Sequence, residues 1–355
     1  MGGFVWQWKA HGVLYGGGGY KYGGDFGESH NDKNICLNGL TGPNLEIRPA
    51  LLNLKKIYGN EKIKNEKIET PSVILSSTKK TCKTALSGKT MAIICDETEY
   101  RVNLFTGELF SVIIDGSEKL KAPVTVNITR AFIDNDTPVK AAWLNRGIYD
   151  AKPVIQTVKS GKNMLKFTGK MLPYFRESCL DFSLEYKFHS NGIKVNFSYT
   201  TLIKNMPRIG LTFAVDKNMN KLEFYGKGPY ETYMDTAALN AFGYYKTTVK
   251  KDFTNYIFPQ ECGSHCCTEY LKLSGRNNIV ISASKPFSFS ALPYDEKTLR
   301  ETTHNWKLPP QKAVYVSIDV AMRGIGSGSC NSVGLNEKYE IPCNGGNTFV
   351  IKFQH

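Results

Sequence analysis

The sequence lacks several features that would assign it to a common class of protein. None of its 355 residues lies in an apolar stretch of about 18 residues, so no membrane span is expected. It has no arginine-rich arm, helix-turn-helix spacing or zinc-finger spacing. The net charge of +13 comes from scattered lysines, a pattern that favours solubility and electrostatic steering. We therefore expect neither a nucleic-acid partner nor a membrane partner.

A cleavable signal peptide is also not visible, because the N-terminus is glycine-rich and already resembles a strand. The nine cysteines are an odd number, which does not suggest a complete disulfide framework. Together these features predict a reducing, cytoplasmic setting.

The one cluster with the chemistry of metal ligands is Cys262-Gly-Ser-His265-Cys266-Cys267. A structural zinc site needs four ligands, with its cysteines in spaced pairs. Adjacent Cys266 and Cys267 are expected to point to opposite faces of a strand. We therefore expect neither a zinc site nor a disulfide within this cluster.

The C-terminal part of the sequence carries the pattern of antiparallel strands. Apolar and polar residues alternate over 182–200 on both sides of Asn191-Gly192, a pair typical of hairpin turns. Thr106-Gly107 predicts a second hairpin turn. No long helical period interrupts the strands before Phe353. The pattern predicts a mainly β fold, a large antiparallel β-sandwich of about 250 residues.

Residues 1–57 have a different pattern. Phe4-Val5-Trp6 predicts a short buried strand, and a glycine-rich loop follows at 16–27. Pro49 predicts the start of a helix that continues to Tyr58. One strand, one long loop and one helix are too little to close a barrel.

The two regions are joined by a segment that predicts a linker. Residues 58–72 are charged and poor in apolar side chains. One strand is predicted there, at Val73-Ile74-Leu75. The predicted domains are therefore 1–57, 58–88 and 89–355.

Residues 22–40, YGGDFGESHNDKNICLNGL, follow GGFVW at residues 2–6. This order resembles the segment after the last barrel strand in the β-galactosidases of glycoside hydrolase family 2. Six further motifs, in order, resemble the C-terminal sandwich domain of that family, which is similar in fold to galactose mutarotases. They are RAFIDND at 130–136, PRIG at 207–210, YGKGPYETY at 225–233, FPQECG at 258–263, FSALPY at 289–294 followed by Thr303-His304, and GIGSGSC at 324–330.

The resemblance implies the end of a (β/α)8 barrel at 1–57 and the β-galactosidase small-chain sandwich at 89–355. Residues 58–88 then stand where the family has an immunoglobulin-like domain. The resemblance also implies that both catalytic glutamates lie upstream of Gly2, so no catalytic residue is expected in this chain. Hydrolysis of terminal β-D-galactose from lactose-type substrates would need an N-terminal part or a large subunit that carries the glutamates. A homo-oligomer is the alternative assembly.

The same resemblance implies ligand-binding residues. Trp6 matches an aromatic residue at the pocket floor, and Cys330 lies where one branch of the family has a tryptophan at the pocket mouth. Asn38 matches an asparagine that contacts galactose and binds Na⁺, and Ile35 matches a position that gives Na⁺ a backbone carbonyl. Asn31 matches a position near Mg²⁺. Such oxygen ligands suit hard cations, but without an upstream aspartate the Na⁺ affinity of this chain alone is expected to be low.

Each of these residues also has a structural interpretation. Trp6 could be a core residue, and Asn31 and Asn38 could form turns. A thiol cannot stack on a sugar as a tryptophan does, so a structural role is favoured for Cys330. Asp25 and Glu28 are interpreted as carboxylates that order their loop by hydrogen bonds.

Two other classes of function compete with the galactosidase interpretation. The first is a non-catalytic carbohydrate-binding module with an aromatic groove formed by residues such as Trp143, Trp306, Tyr230 and Tyr233. The second is a mutarotase-like epimerase, which would need His265 or His304 facing Glu231 or Glu301 across a groove. The galactosidase motifs favour neither.

Overall fold

The structure, a computed structural model, describes residues 5, 7–59, 62–78, 82–326 and 334–354. It is mainly antiparallel β, as the sequence predicts. The strands are β1 Val13–Tyr15, β2 Gly19–Lys21, β3 Lys83–Ser87, β4 Thr90–Cys95, β5 Thr98–Asn103, β6 Leu109–Ile114, β7 Ser117–Glu118, β8 Ala122–Asn127, β9 Lys152–Gly161, β10 Met164–Leu172, β11 Leu180–His189, β12 Gly192–Thr200, β13 Arg208–Asp216, β14 Lys221–Gly228, β15 Ala241–Thr248, β16 Ser264–Ser274, β17 Asn278–Leu292, β18 Ala313–Met322 and β19 Asn344–Gln354. The helices are α1 Pro49–Tyr58, α2 Thr137–Asn145, α3 Val249–Asp252 and α4 Glu296–Glu301, with 3₁₀ turns at Lys33–Leu37, Asp134–Asp136, Ile148–Asp150, Ala237–Leu239, Asn305–Lys307 and Glu337–Tyr339.

Strands β3 to β19 form one curled antiparallel sheet in which the long strand β17 belongs to two layers. Its first half, Asn278–Ala283, pairs with β19, and its second half, Ser288–Leu292, pairs with β18. Pro286 lies between the halves, where its missing N–H removes a ladder hydrogen bond. One layer therefore runs from β9 through β12, β19, β17, β16 and β14 to β15, and the other from β17 through β18, β13 and β8 towards β3.

The apolar core lies between these layers. The hairpin predicted at 182–200 is confirmed, with Phe182 opposite Tyr199 and Phe188 opposite Ile193. These residues are buried because alternate side chains of a strand share one face. The turn at Thr106-Gly107 is also confirmed, since it connects β5 and β6 with Gly107 at φ 70°. Helix α2 was not predicted.

The N-terminal segment is only partly as predicted. Helix α1 begins at Pro49 and ends at Tyr58, as expected, because proline suits the first turn. The glycine-rich loop contains a short hairpin, β1–β2, that the sequence did not predict. Val5 is 40% exposed and lies outside any strand. The prediction that Val5 belongs to a buried strand is therefore wrong. Phe4 and Trp6 lie outside the described residues.

Residues 62–78 of the linker have no regular secondary structure. The strand predicted at Val73-Ile74-Leu75 is therefore wrong. Its backbone groups bond irregularly to the sandwich instead of forming a ladder. The Glu66 N–H donates to the Phe242 carbonyl at 2.7 Å, and the Ile68 N–H donates to the Tyr225 hydroxyl at 3.2 Å.

A disulfide joins Cys82 to Cys95, with Cα atoms 4.4 Å apart, at the start of the sandwich. It was not predicted, and it does not fit the expectation of a reducing setting, because disulfides persist mainly in oxidising environments. Among the described helices, none has the length and apolar content to cross a membrane.

Candidate functional site

The loop at 22–40 is held by its own acidic side chains. The Asp25 carboxylate accepts from the Tyr22 N–H at 2.8 Å, and the Glu28 carboxylate accepts from the Gly24 and Phe26 N–H groups at 2.5 and 3.0 Å. Gly24 adopts φ 94°, a left-handed conformation that favours glycine. The interpretation of Asp25 and Glu28 as residues that order the loop is therefore confirmed.

Asp25 also connects this loop to the sandwich. Its carboxylate lies 2.8 Å from His304 Nε2, and the Tyr22 ring stacks on His304 with centroids 4.6 Å apart. The Tyr22 hydroxyl donates to the Thr303 carbonyl at 2.5 Å. Burial would raise the pKa of Asp25, but the Tyr22 N–H and His304 outweigh it and lower that pKa. Residues 22–25 and 303–304, distant in sequence, thus form one clamp.

A second set of contacts joins three sandwich loops to one another, and one of these loops to the N-terminal loop. Asn34 donates to the Asp134 carboxylate at 2.7 Å, and Asn135 donates to the Ile325 carbonyl at 3.0 Å. The Asp235 carboxylate accepts from the N–H groups of Ile325 and Gly326 at 3.1 and 2.8 Å. We call residues 31–38, 134–135, 235 and 324–326 the loop cluster.

Cys330 follows the loop cluster in sequence, but it lies outside the described residues, as does Trp6. Asn31, Ile35 and Asn38 all belong to the cluster. The sequence analysis did not select Asn34, Asp134, Asn135 or Asp235 as site residues. The sequence motifs at 22–40 and 130–136 contain Asn34 and residues 134–135, so these positions could have been selected. Their pairing with one another depends on the fold and could not be predicted.

Asn38 ends the 3₁₀ turn Lys33–Leu37 and has an exposed side chain. Arg48 holds it in place, because its guanidinium donates to the carbonyls on either side, those of Leu37 and Gly39, at 2.6 and 2.7 Å. The Ile35 carbonyl accepts from the Asn38 N–H at 3.3 Å, so both predicted Na⁺ ligands belong to one turn. Two neutral oxygens on one turn fit part of a shell around a hard cation.

Asn31 fits an ion less directly. Its side-chain oxygen accepts from the Lys33 N–H at 3.0 Å, and its nitrogen donates to the Glu28 carbonyl at 3.1 Å. The side chain therefore forms a turn, although its oxygen keeps a second lone pair. Within the described part of the chain, no group of three or more His, Cys, Asp or Glu side chains is arranged to hold a metal.

Buried ion pairs stabilise the loop cluster. Arg130, fully buried, lies 2.7 Å from the Asp136 carboxylate and also donates to the Arg323 carbonyl at 3.1 Å. Arg323 in turn binds the Glu340 carboxylate with two contacts of 2.8 Å. Both guanidinium groups lie over the Trp143 ring, at 6.0 and 5.8 Å from its centroid. These contacts fix the loops on both sides of Asp134-Asn135.

The structure corrects the two competing interpretations. Trp143 is fully buried and Tyr233 is only 4% exposed, so neither can line a groove, whereas Trp306 is 46% exposed. The two histidines named for an epimerase contact aspartates instead. His265 lies 3.0 Å from both Asp252 oxygens, and His304 contacts Asp25 rather than Glu301.

The vicinal cysteines also differ from expectation. The strand register shifts between His265 and Thr268, and Cys267 adopts φ 56°, so the regular alternation behind the prediction of opposite faces is broken at this bulge. The hydrogen bond from the Cys266 thiol lowers the pKa of Cys267 to about 7.

Comparison with protein families agrees with this architecture. The family model described as β-galactosidase small chain matches residues 95–353, and the model for the glycosyl hydrolases family 2 TIM barrel domain matches residues 1–63. The first match covers most of the chain. The protein therefore belongs to the β-galactosidase small-chain family, as the motifs predict.

Curated relatives carry the same family name. A β-galactosidase from Actinobacillus pleuropneumoniae is 28% identical over 96% of this chain and 43% of its own length. A β-galactosidase from Staphylococcus xylosus is 26% identical over 96% of this chain and 45% of its own. The chain thus spans less than half the length of these relatives.

Among solved structures, a galactose mutarotase-like protein from Clostridium acetobutylicum is similar with a TM-score of 0.43 and 12% identity. The similarity covers 77% of this chain and 97% of that one.

Proposed function

We propose that this chain is the C-terminal portion of a β-galactosidase that releases terminal non-reducing β-D-galactose. It supplies pocket and ion-site residues, while another part of the enzyme supplies the pair of catalytic glutamates. The family match over 95–353 and the relatives' shared name support this assignment. The observation that carries it is the clamp between Asp25 and His304, because it fixes a barrel-end loop against the sandwich.

A retaining glycosidase needs two carboxyl groups about 5–5.5 Å apart, one as nucleophile and one as acid and base. The proposed work of this chain is different: to position the sugar for that pair. Asn38, exposed and held by Arg48, would hydrogen-bond a galactose hydroxyl. Trp6 would stack on the sugar's apolar face, and Cys330 would lie at the pocket mouth.

The proposed cofactors are Na⁺ and Mg²⁺. Na⁺ would take the Asn38 side-chain oxygen and the Ile35 carbonyl, and Mg²⁺ would lie near Asn31. Both ions would contribute charge and order to the loop cluster in the complete enzyme. The proposed partner is an N-terminal part or large subunit of the enzyme, with homo-oligomerisation as the alternative arrangement.

The test is hydrolysis of a nitrophenyl β-galactoside by the purified chain, alone and mixed with an N-terminal family fragment that supplies both carboxylates. We expect activity in the mixture and none from the chain alone. In the mixture, Asn38→Ala should reduce kcat/KM about tenfold or more, since a hydrogen bond at the transition state is lost. The matched control Asn44→Ala, in the same segment, should not.

Two results would count against the proposal. Hydrolysis by the chain alone, lost on mutating one of its own carboxylates, would place the chemistry within it. No hydrolysis in the mixture, from folded proteins that bind each other, would remove the proposed role in catalysis.

A further inference from the structure

The outer face of strands β8, β13, β18 and β17 is unusually polar. Two rows of residues cross the four strands opposite one another. The first row is Asn127, Gly210, Asp319 and Ser288, and the second is Thr125, Thr212, Ser317 and Ser290. Their neighbours along each strand, such as Val126, Leu211 and Ile318, are buried in the apolar core. The alternation therefore separates an apolar inner face from a face rich in hydroxyl groups.

This polar face is not open to bulk solvent over its whole area. Helix α4 and the loop before it cover part of it and leave a cavity of about 360 Å³. That volume lies within the range of about 300–1,000 Å³ that is typical of small-molecule sites. Thr125, Thr212, Ser290 and Ser317 line its floor, and the rings of Tyr294 and Tyr315 line its wall.

The buried charged groups around the cavity already have partners. Arg208 Nη2 lies 2.9 Å from the Glu261 carboxylate, and both side chains are only 3% exposed. Glu296 is bound by Arg300 at 2.6 Å. Asp295 accepts from the Thr298 N–H at 2.6 Å as the cap of α4. Asp295 and the exposed Lys297 form no ion pair among the described residues, so an ionic ligand would find no buried, unpaired countercharge.

Some hydroxyl groups, in contrast, have no partner. Ser290 is 2% exposed, and within the described residues its hydroxyl forms no hydrogen bond. The Thr125 hydroxyl is likewise unpaired within that part of the chain. Both residues line the cavity, so water or a ligand can satisfy their hydroxyls, and each hydroxyl can both donate and accept.

We propose that this cavity is a binding site for a neutral polyhydroxylated ligand of monosaccharide size. The buried Arg208 and Glu261 are paired and need no ionic ligand, the hydroxyl groups match the donors and acceptors of a sugar, and two tyrosine rings offer apolar faces. The site shares no residue with the loop cluster. It is therefore a second carbohydrate site, independent of the proposed galactosidase pocket.

The test is titration calorimetry of the purified chain with D-galactose as the probe. The variant Thr125→Val with Ser290→Ala removes both free hydroxyls and changes volume little. We expect its affinity for galactose to fall at least about tenfold. The matched control, Thr247→Val with Ser282→Ala, makes the same changes on β15 and β17 away from the cavity and should bind as the unmodified chain does.

Further variants keep the result interpretable. If the double variant does not fold, as judged by circular dichroism, Tyr315→Leu provides an independent loss of a cavity wall and should also weaken binding. Asn38→Ala should leave this binding unchanged. The proposal is overturned if the folded chain binds no galactose, if cavity variants bind normally, or if Asn38→Ala alone abolishes binding, which would place the sugar in the loop cluster.

Discussion

The sandwich and the N-terminal segment, residues 7–59, are stabilised in different ways. The sandwich buries whole aromatic side chains in one continuous core, among them Phe167, Tyr186, Phe213 and Phe289. Among the described residues, the buried cluster of the N-terminal segment comprises Ala10, Tyr22, Leu37 and Ile257, and the last of these belongs to the sandwich. It also leaves Leu14, Leu45 and Ile47 between 58% and 69% exposed.

This difference shows that the N-terminal segment is stabilised mainly by its contacts with the sandwich rather than by a core of its own. The segment's position depends on specific polar contacts, above all the Asp25–His304 clamp, whereas the sandwich depends on area buried. The following predictions act on one region and use the other as reference.

The largest effect is expected from Trp143→Ala in the sandwich. The ring is fully buried, and its N–H donates to the Asn205 carbonyl at 2.6 Å. Loss of the side chain should reduce the free energy of unfolding by about 3–5 kcal/mol. Urea unfolding followed by circular dichroism measures it. Leu14→Ala, at an exposed position of the N-terminal segment, should cost less than about 0.5 kcal/mol; equal losses would contradict the comparison.

A smaller and local effect is expected from Asp25→Asn. Hydrogen bonds to charged groups contribute about 1.5–3 kcal/mol, and this substitution weakens the clamp without emptying a core. Amide hydrogen exchange should become faster over 7–59 while the sandwich strands keep their protection. Asp32→Asn, in the same loop, is the control and should change neither region. Faster exchange throughout the sandwich would show that the two regions are not separable in this way.

The sandwich should lose stability as pH rises. Burial would lower the pKa of His265, but its contacts with Asp252 outweigh burial and raise that pKa above the ordinary value. Its contribution is therefore fully present below about pH 6.5 and lost as pH rises through the folded pKa. We expect Tm to fall as pH rises above about 6.5, and His265→Gln to flatten this slope. An identical slope in the variant would assign the effect to other groups.

The N-terminal segment should respond to pH in the opposite direction, with the smallest effect. The pKa of Asp25 is lowered in the fold, so its contribution is present above about pH 3.9 and is lost as pH falls through the folded pKa. Limited pepsin digestion should cut 7–59 faster as pH falls below 4, before the sandwich is cut. Asp25→Asn should show this susceptibility already at pH 5 with an acid-active protease. If pH does not change the digestion of either form, the Asp25–His304 clamp does not explain the stability of this segment.

Much of the fold could be predicted because its signals are local. Asn191-Gly192 and Gly107 specify turns through their backbone conformations, and Pro49 specifies the start of α1. The strand predicted at Val73-Ile74-Leu75 failed for the opposite reason, since a short apolar run becomes a strand only if a partner edge is free to pair with it. The left-handed bulge at Cys267 is likewise set by its strand partners.

The candidate site divides in the same way. The sequence alone determined the family, through ordered motifs, and it determined the self-contained bonds of Asp25 and Glu28, which span at most four residues. Only the tertiary structure decided that Asp25 meets His304, that Asn34 meets Asp134, and that four strands assemble a hydroxyl-rich cavity. The physical reason is that these contacts join residues far apart in the chain, and their register is fixed by the packing of the whole sheet rather than by any local pattern.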